Sequence, residues 1–276
     1  MFCDLHTHSY RSDGTDSPSR LIELAKSENR IVALTDHNTT AGLSEFMEKA
    51  GELGVTAVPG VELSCEFEGT ELHLIGLFIP REHYATVEEW ASQMRARKQI
   101  SNRETVARLC AAGYVVDYED IARRHEGYVN RAHIAEALCR AGYVQSINDA
   151  FDDLLAEKHG YYIPPKRPTI FDALAFLVQI QALPVLAHPL KDLDRETLCR
   201  LLDRIVPAGL VSMEIHHSSY NEEQTAVAAE IAKAYGLLGS GGSDYHGKRK
   251  ENCPFGIPEV SRVLYDNLCQ YWQKSM

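Results

Sequence analysis

Long apolar runs are missing from this 276-residue sequence: none approaches the roughly 18 residues that a membrane-spanning helix needs. Paired cysteines are missing too. The seven that occur, Cys3, Cys65, Cys110, Cys139, Cys199, Cys253 and Cys269, lie far apart with no CxxC pair. That pattern favours reduced thiols in a cytoplasm over a disulfide framework. The opening residues, MFCDLHTHSYRSDG, carry no basic stretch followed by an apolar one, so no secretory signal is expected. Positive charge is in deficit. Against 39 Asp and Glu stand 28 Lys and Arg, a formal charge of -11, which argues against a protein that coats nucleic acid. There is no internal repeat and no low-complexity tract, and the composition excludes disorder, collagen and coiled coil. Neither membrane contact nor a protein partner is implied.

What is present is an ordinary globular composition, 45% apolar and 24% charged, on a chain long enough to bury a large core. The charge is uneven. From Arg95 to Arg140 nine basic residues face six acidic ones, a local +3 that leaves -14 for the remainder. A basic stretch in an acidic chain suggests a confined anion site rather than a broad polyanion surface.

Short runs rich in Val, Ile and Leu predict strands at Phe2–His8, Ile31–His37, Thr56–Glu62, Glu71–Phe78, Leu183–His188, Leu210–His216 and Leu237–Gly241. Amphipathic stretches predict helices at Ser19–Glu28, Thr40–Leu53, Arg195–Val206 and Glu222–Tyr235. The alternation reads as α/β with mostly parallel strands. Between about Glu88 and Tyr161 the rhythm breaks into consecutive helices, Glu88–Ala111, Tyr118–Arg124, Arg131–Ala141 and Ser146–Glu157, with Gly113, Gly127 and Gly142 as stops. The expected organisation is a host of residues 1–90 and 165–276 carrying an all-helical insert, 91–164.

Histidines and carboxylates gather at the ends of the predicted strands, where α/β barrels build their sites. His6 and His8 are two apart, so an extended chain sets both imidazoles on one face. Asp13, in Ser-Asp-Gly-Thr, is a turn residue by itself and a candidate ligand so soon after His6 and His8. Asp36 either orients His37 or caps the next helix. Glu62 follows an apolar run and can bridge two cations. His73 lies inside Leu-His-Leu-Ile, which alone fits a satisfied core histidine. His188 precedes Pro189, which stops its strand. Asp244 and His246 repeat the spacing of His6 and His8, after glycines that permit close backbone approach. Six histidines and three carboxylates are too many for one four-coordinate zinc. They suit two or three divalent cations, and mixed imidazole and carboxylate without thiolate points to manganese first, with zinc or iron as alternatives.

Together, Asp4-Leu5-His6-Thr7-His8-Ser9, Thr35-Asp36-His37, Gly60-Val61-Glu62, His73, Ala187-His188-Pro189 and Ser243-Asp244-Tyr245-His246 resemble the PHP (polymerase and histidinol phosphatase) family of metal-dependent phosphoesterases. The resemblance covers residues 1 to about 90 and about 165 to 260. It implies a distorted seven-stranded β/α barrel and a site of three metals. His6, His8, Glu62 and Asp244 would surround one metal. Glu62, His73 and His188 would hold a second, and Asp13, His37 and His246 a third. Arg131-Ala132-His133 resembles an Arg-x-His of the branch with a helical insert, whose members act on nucleoside 3',5'-bisphosphates or trim RNA from its 5' end. The sequence departs from relatives at Asn38, where Asp is common, and at Ser101-Asn102, where an Arg is common.

The resulting expectation is a phosphomonoesterase acting on a nucleoside 3',5'-bisphosphate. Clustered cations make hydroxide available from bound water, so no protein nucleophile is needed. His216 or His217 would contact substrate or protonate the leaving oxygen. Asn102, Arg103, Arg131 and His133 would hold the non-reacting phosphate of a small nucleotide. A 5'-to-3' exoribonuclease acting on short RNA with the same site is the alternative. Histidinol phosphate is too small to need a long basic insert. An amidohydrolase cleaving C–N bonds would want a Lys at a strand end, and none ends a predicted strand. A non-catalytic metal module would show lost ligands, whereas the set is complete.

Overall fold

The computed structural model describes residues 1–125 and 129–275. The chain divides into two compact units, Met1–Glu89 with Pro168–Met276, and Trp90–Arg167. Gly127, expected as a helix stop, lies outside the described residues.

The first unit carries strands β1 (Phe2–Asp4), β2 (Arg30–Leu34), β3 (Ala57–Phe67), β4 (Thr70–Leu77), β5 (Leu183–Leu186), β6 (Ser212–His217), β7 (Leu238–Gly242) and β8 (Val260–Ser261). They form one eight-stranded sheet in the order β7-β6-β5-β4-β3-β2-β1-β8. Neighbours β1–β2, β2–β3, β5–β6 and β6–β7 are parallel. The sheet curls towards closure. Beyond β1, Leu5 N–H donates to the Gly241 carbonyl, and Asp244 N–H donates to the His6 carbonyl.

Two features depart from the sequence reading. β3 and β4 form an antiparallel hairpin, and β4 also runs antiparallel to β5. The turn is Glu68-Gly69, with φ of 50° and 83°. Two consecutive positive-φ residues match the right-handed twist of a two-residue hairpin. The eighth strand, β8, has two residues paired antiparallel with β1, too short to leave a periodicity signal.

Helices α1 (Pro18–Ser27) and α2 (Leu43–Leu53) belong to the first unit, and α3 (Tyr84–Ala111) begins in it. Ser17 caps α1, its side chain accepting from Arg20 N–H, with Pro18 opening the first turn. α1 and α2 cover β2 through Leu21, Ile22, Phe46 and Val32, all fully buried. Each such side chain contributes about 1.5–3 kcal/mol of burial. The second unit contains α4 (Tyr118–Arg124), α5 (Arg131–Arg140) and α6 (Ile147–Asp152), packed around Leu109, Ile121, Ile134 and Leu138. Returning to the first unit, the chain forms α7 (Ile170–Gln179), α8 (Pro189–Asp192), α9 (Arg195–Ile205), α10 (Glu222–Ala234) and α11 (Arg262–Ser275). All seven cysteines are free thiols. Among the described residues no helix is long and apolar enough to cross a membrane.

Candidate metal centre

The polar residues follow the carboxyl ends of β1, β2, β5 and β7, and Glu62 and His73 come from within β3 and β4. After β1 the chain stays extended, so His6 and His8 point one way while Thr7 points the other, donating through Oγ1 to the Ala33 carbonyl at 2.6 Å. His37 follows β2 and bridges to Glu62 in β3. His73 lies in β4, His188 follows β5, and Asp244 and His246 follow β7.

These residues meet around Glu62, which is fully buried. Its Oε2 lies 3.2 Å from Nε2 of His6, 3.2 Å from Nε2 of His8 and 3.0 Å from Nδ1 of His37. Its Oε1 lies 2.8 Å from Nδ1 of His73 and 3.2 Å from Nε2 of His188. One carboxylate therefore faces five imidazoles. Asp244 Oδ1 closes one side, 3.3 Å from His8 Nε2 and 3.6 Å from His6 Nε2. Asp13 closes another, with Oδ1 3.1 Å from His246 Nε2 and Oδ2 3.9 Å from His37 Nε2. All nine residues singled out in the sequence are thus brought into one centre. His6, His8 and Glu62 form its buried floor, while Asp13, His37 and His73 stay partly exposed at 43%, 23% and 19% of their side chains.

The donor set fits divalent cations. Buried atoms without a hydrogen-bonding partner include His8 Nδ1, His37 Nδ1, Glu62 Oε2, His73 Nδ1 and His246 Nε2. Such atoms are costly to leave unmatched, and a cation would engage them. Four groups hold ligand atoms within 4.8 Å of one another: His8-Asp13-His37-His246, His6-His8-Glu62-Asp244, His37-Glu62-His73 and His6-Glu214-His217. The first includes His8 beyond the expected trio. The third joins His37 to Glu62 and His73, where His188 was expected.

Electrostatics follow from this crowding. Burial by itself would lower His6, yet the carboxylates of Glu62 and Glu214 hold it well above its ordinary value. For His8, burial opposes, but Asp244 and Glu62 push it up to about 9. His73 rises to about 10, Glu62 and Glu71 outweighing burial. His37 falls to about 3, because burial and the neighbouring His8 and His73 outweigh Glu62. Burial would raise Glu62, but surrounding histidines hold it well below the carboxylate range.

Supporting residues are equally specific. Asp36 accepts from Ser9 N–H at 2.7 Å and from the hydroxyls of Ser9 and Ser12 at 2.6 Å each. It therefore fixes the loop that carries Asp13; neither orienting His37 nor capping a helix is its task. Asp192 Oδ2 lies 3.3 Å from His188 Nδ1. Lys250 donates to Asp244 Oδ2 at 2.9 Å.

Glu214 was missed as a site residue. It is fully buried against His6. Its spacing from His217, three residues along a strand, gave no signal, because regular alternation would place the two on opposite faces. A register shift between Glu214 and His216 puts both inside. His217 is buried beside Asp244, whereas the half-buried His216 belongs to none of the ligand groups.

The expected phosphate-binding residues lie in the helical unit. Asn102 requires correction. It is buried, and its amide donates to the Val129 carbonyl at 2.8 Å, so it braces that unit. Arg103 is exposed, bonded to Glu119 at 2.6 Å and stacked on Tyr118. Arg131 stands over the rings of Tyr162 and Phe151 and donates to the Leu155 carbonyl. His133 completes the Asn130 capping box of α5 and stacks on His125 at 3.6 Å.

Comparison with known proteins agrees with this geometry. Residues 4–163 match the PHP domain model. The chain is 32% identical over 94% of its length to the whole of a phosphoribosyl 1,2-cyclic phosphate 1,2-diphosphodiesterase from Eggerthella lenta. It is 31% identical to the 5'-3' exoribonuclease Rnm of Salmonella typhimurium, over 98% of this chain and 94% of that protein. It is 29% identical to a 3',5'-nucleoside bisphosphate phosphatase from Chromobacterium violaceum, over 96% and 95%. A solved structure from Bifidobacterium adolescentis, assigned to the metal-dependent phosphoesterases, superposes with a TM-score of 0.76 at 29% identity, covering 97% of this chain and 95% of that one. The chain belongs to the PHP domain family of metal-dependent phosphoesterases.

Proposed function

We propose that this protein is a phosphomonoesterase that removes one phosphate from nucleoside 3',5'-bisphosphates, using two or three divalent cations, manganese first. The supporting observation is the convergence of five histidines on the buried Glu62, with Asp13 and Asp244 beside it. His6, His8, Asp13, His37, Glu62, His73, His188, Asp244 and His246 would hold the cations. When bound, cations supply charge for phosphate oxygens and lower the pKa of a water.

The chain's own residues do the rest. The partly exposed Asp13, His37 and His73 mark the side from which the ester enters. His217 Nδ1 accepts Ser219 N–H at 3.1 Å and lies 2.8 Å from the Ser219 hydroxyl. The imidazole proton therefore sits on Nε2, 3.7 Å from Asp244 Oδ2. That N–H can donate a hydrogen bond to a phosphate oxygen, so of the two neighbours His217 takes the helper role and His216 does not. Lys250, beside Asp244, adds a positive charge. Arg103, Arg131 and His133 of the helical unit keep their proposed role towards the second phosphate, and the seven free thiols support a cytoplasmic setting.

A 5'-to-3' exoribonuclease is the second reading, supported by the 31% identity to Rnm across nearly the full length of both chains. Manganese-loaded protein should be assayed on adenosine 3',5'-bisphosphate, a 5'-phosphorylated oligoribonucleotide and phosphoribosyl 1,2-cyclic phosphate. The highest kcat/KM is expected on the bisphosphate. Preference for either other ester would replace this reading with that substrate class, and turnover of none with any divalent metal would overturn it.

A further inference from the structure

We propose that Glu214 is a positioning residue: it sets the imidazole of His6 and the backbone of His188 for cation binding, and is not itself a ligand. The inference rests on the reading that the centred histidines hold cations. Glu214 is fully buried within β6, and both of its oxygens are engaged. Oε1 lies 3.0 Å from His6 Nδ1, and Oε2 accepts the backbone N–H of His188 at 2.7 Å.

The first contact fixes a tautomer. A carboxylate only accepts, so His6 donates from Nδ1, and Nε2 is the nitrogen left to take a cation in place of a proton. That Nε2 faces Glu62 Oε2 at 3.2 Å, Asp244 Oδ1 at 3.6 Å and His8 Nε2 at 3.1 Å. A carboxylate behind a ligating imidazole both orients the ring and raises its basicity.

The second contact acts on backbone. His188 has φ 28° and ψ 48°, a left-handed conformation costly for a residue with a Cβ. A charge-assisted bond from its N–H to Glu214 helps hold that conformation. Held so, His188 presents Nε2 to Glu62 Oε1 at 3.2 Å. One carboxylate therefore couples two histidines delivered by different strands, and the bulge in β6 is what turns it inwards.

The competing idea is a further cation site made of His6, Glu214 and His217, whose ligand atoms also cluster. It would need a lone pair on His6 Nδ1, where the proton donated to Glu214 Oε1 sits.

Two measurements on the full chain separate these. Side-chain proton–nitrogen spectra of the zinc-loaded protein should show His6 protonated at Nδ1 and metallated at Nε2, with the signal identified by its loss in His6→Gln. Zinc titration against a competing chelator should show one cation bound about 10–100-fold more weakly in Glu214→Gln, with the total bound at saturation unchanged. Metallation of His6 at Nδ1, loss of one cation at saturation in the variant, or unchanged affinity would each overturn the inference. Should Glu214→Gln not fold, the wild-type spectrum decides alone. A chain that binds no zinc overturns the cation reading itself, whereas zinc bound with unchanged affinity overturns only the role of Glu214.

Discussion

Glu62 is the residue on which the centre turns, because among the described residues no other carboxylate faces both the His6–His8 pair and the His73–His188 pair. Glu62→Gln keeps the shape and removes the charge. Several kcal/mol of charge stabilisation depend on bound cations, so phosphate release should fall on the order of 10³-fold. Metal content measured by mass spectrometry should fall with it; full metal content and activity would refute the assignment. The histidines make a second prediction for the chelator-treated chain. His8 and His73 have pKa values raised to about 9 and about 10, from an unfolded value of 6.5. Their imidazolium forms pair with buried carboxylates, so their stabilisation is complete below pH 6.5 and fades as pH rises through 9 and then 10. The melting temperature of the metal-free chain should therefore drop between pH 6.5 and 9, and the double variant His8→Gln, His73→Gln should flatten that slope. A wild-type profile that is level or rising would contradict the pairing.

At the level of elements, the seam between β7 and the segment after β1 decides whether the two halves of the site meet. A Cβ on Gly242 would lie 2.5 Å from both the backbone nitrogen and the Cβ of His6. Gly242→Ala must therefore push the strands apart. Overpacking of this kind costs about 1–3 kcal/mol, and displacing His6 should also weaken metal binding. Chemical denaturation and a zinc titration check the two effects, and an unperturbed variant would show that the seam is looser than described. The sequence made much of this visible. His6 and His8, His188 before Pro189, and Asp244 and His246 after glycines all sit at strand ends, where spacing of two and strand termination read directly. The turn at Glu68-Gly69 was less visible, since Glu rarely takes positive φ, and so the β3–β4 hairpin went unread. The bulge in β6 hid Glu214 and left His216 and His217 equivalent until the backbone distinguished them. Asn102 read as a phosphate-binding residue; only the packing of its unit shows its amide turned to the Val129 carbonyl.

For the whole molecule, the charge distribution acquires a meaning that composition alone did not give. A chain of net charge -11 concentrates carboxylates around Glu62, where positive ions would balance them, and keeps its basic excess in the helical stretch. The most direct measurement of the central claim is a crystal structure grown with manganese and recorded at a wavelength where manganese scatters anomalously. Two or three anomalous peaks should appear among His6, His8, Asp13, His37, Glu62, His73, His188, Asp244 and His246. An anomalous map with no peak beside Glu62, from crystals soaked to saturation at neutral pH, would contradict the account.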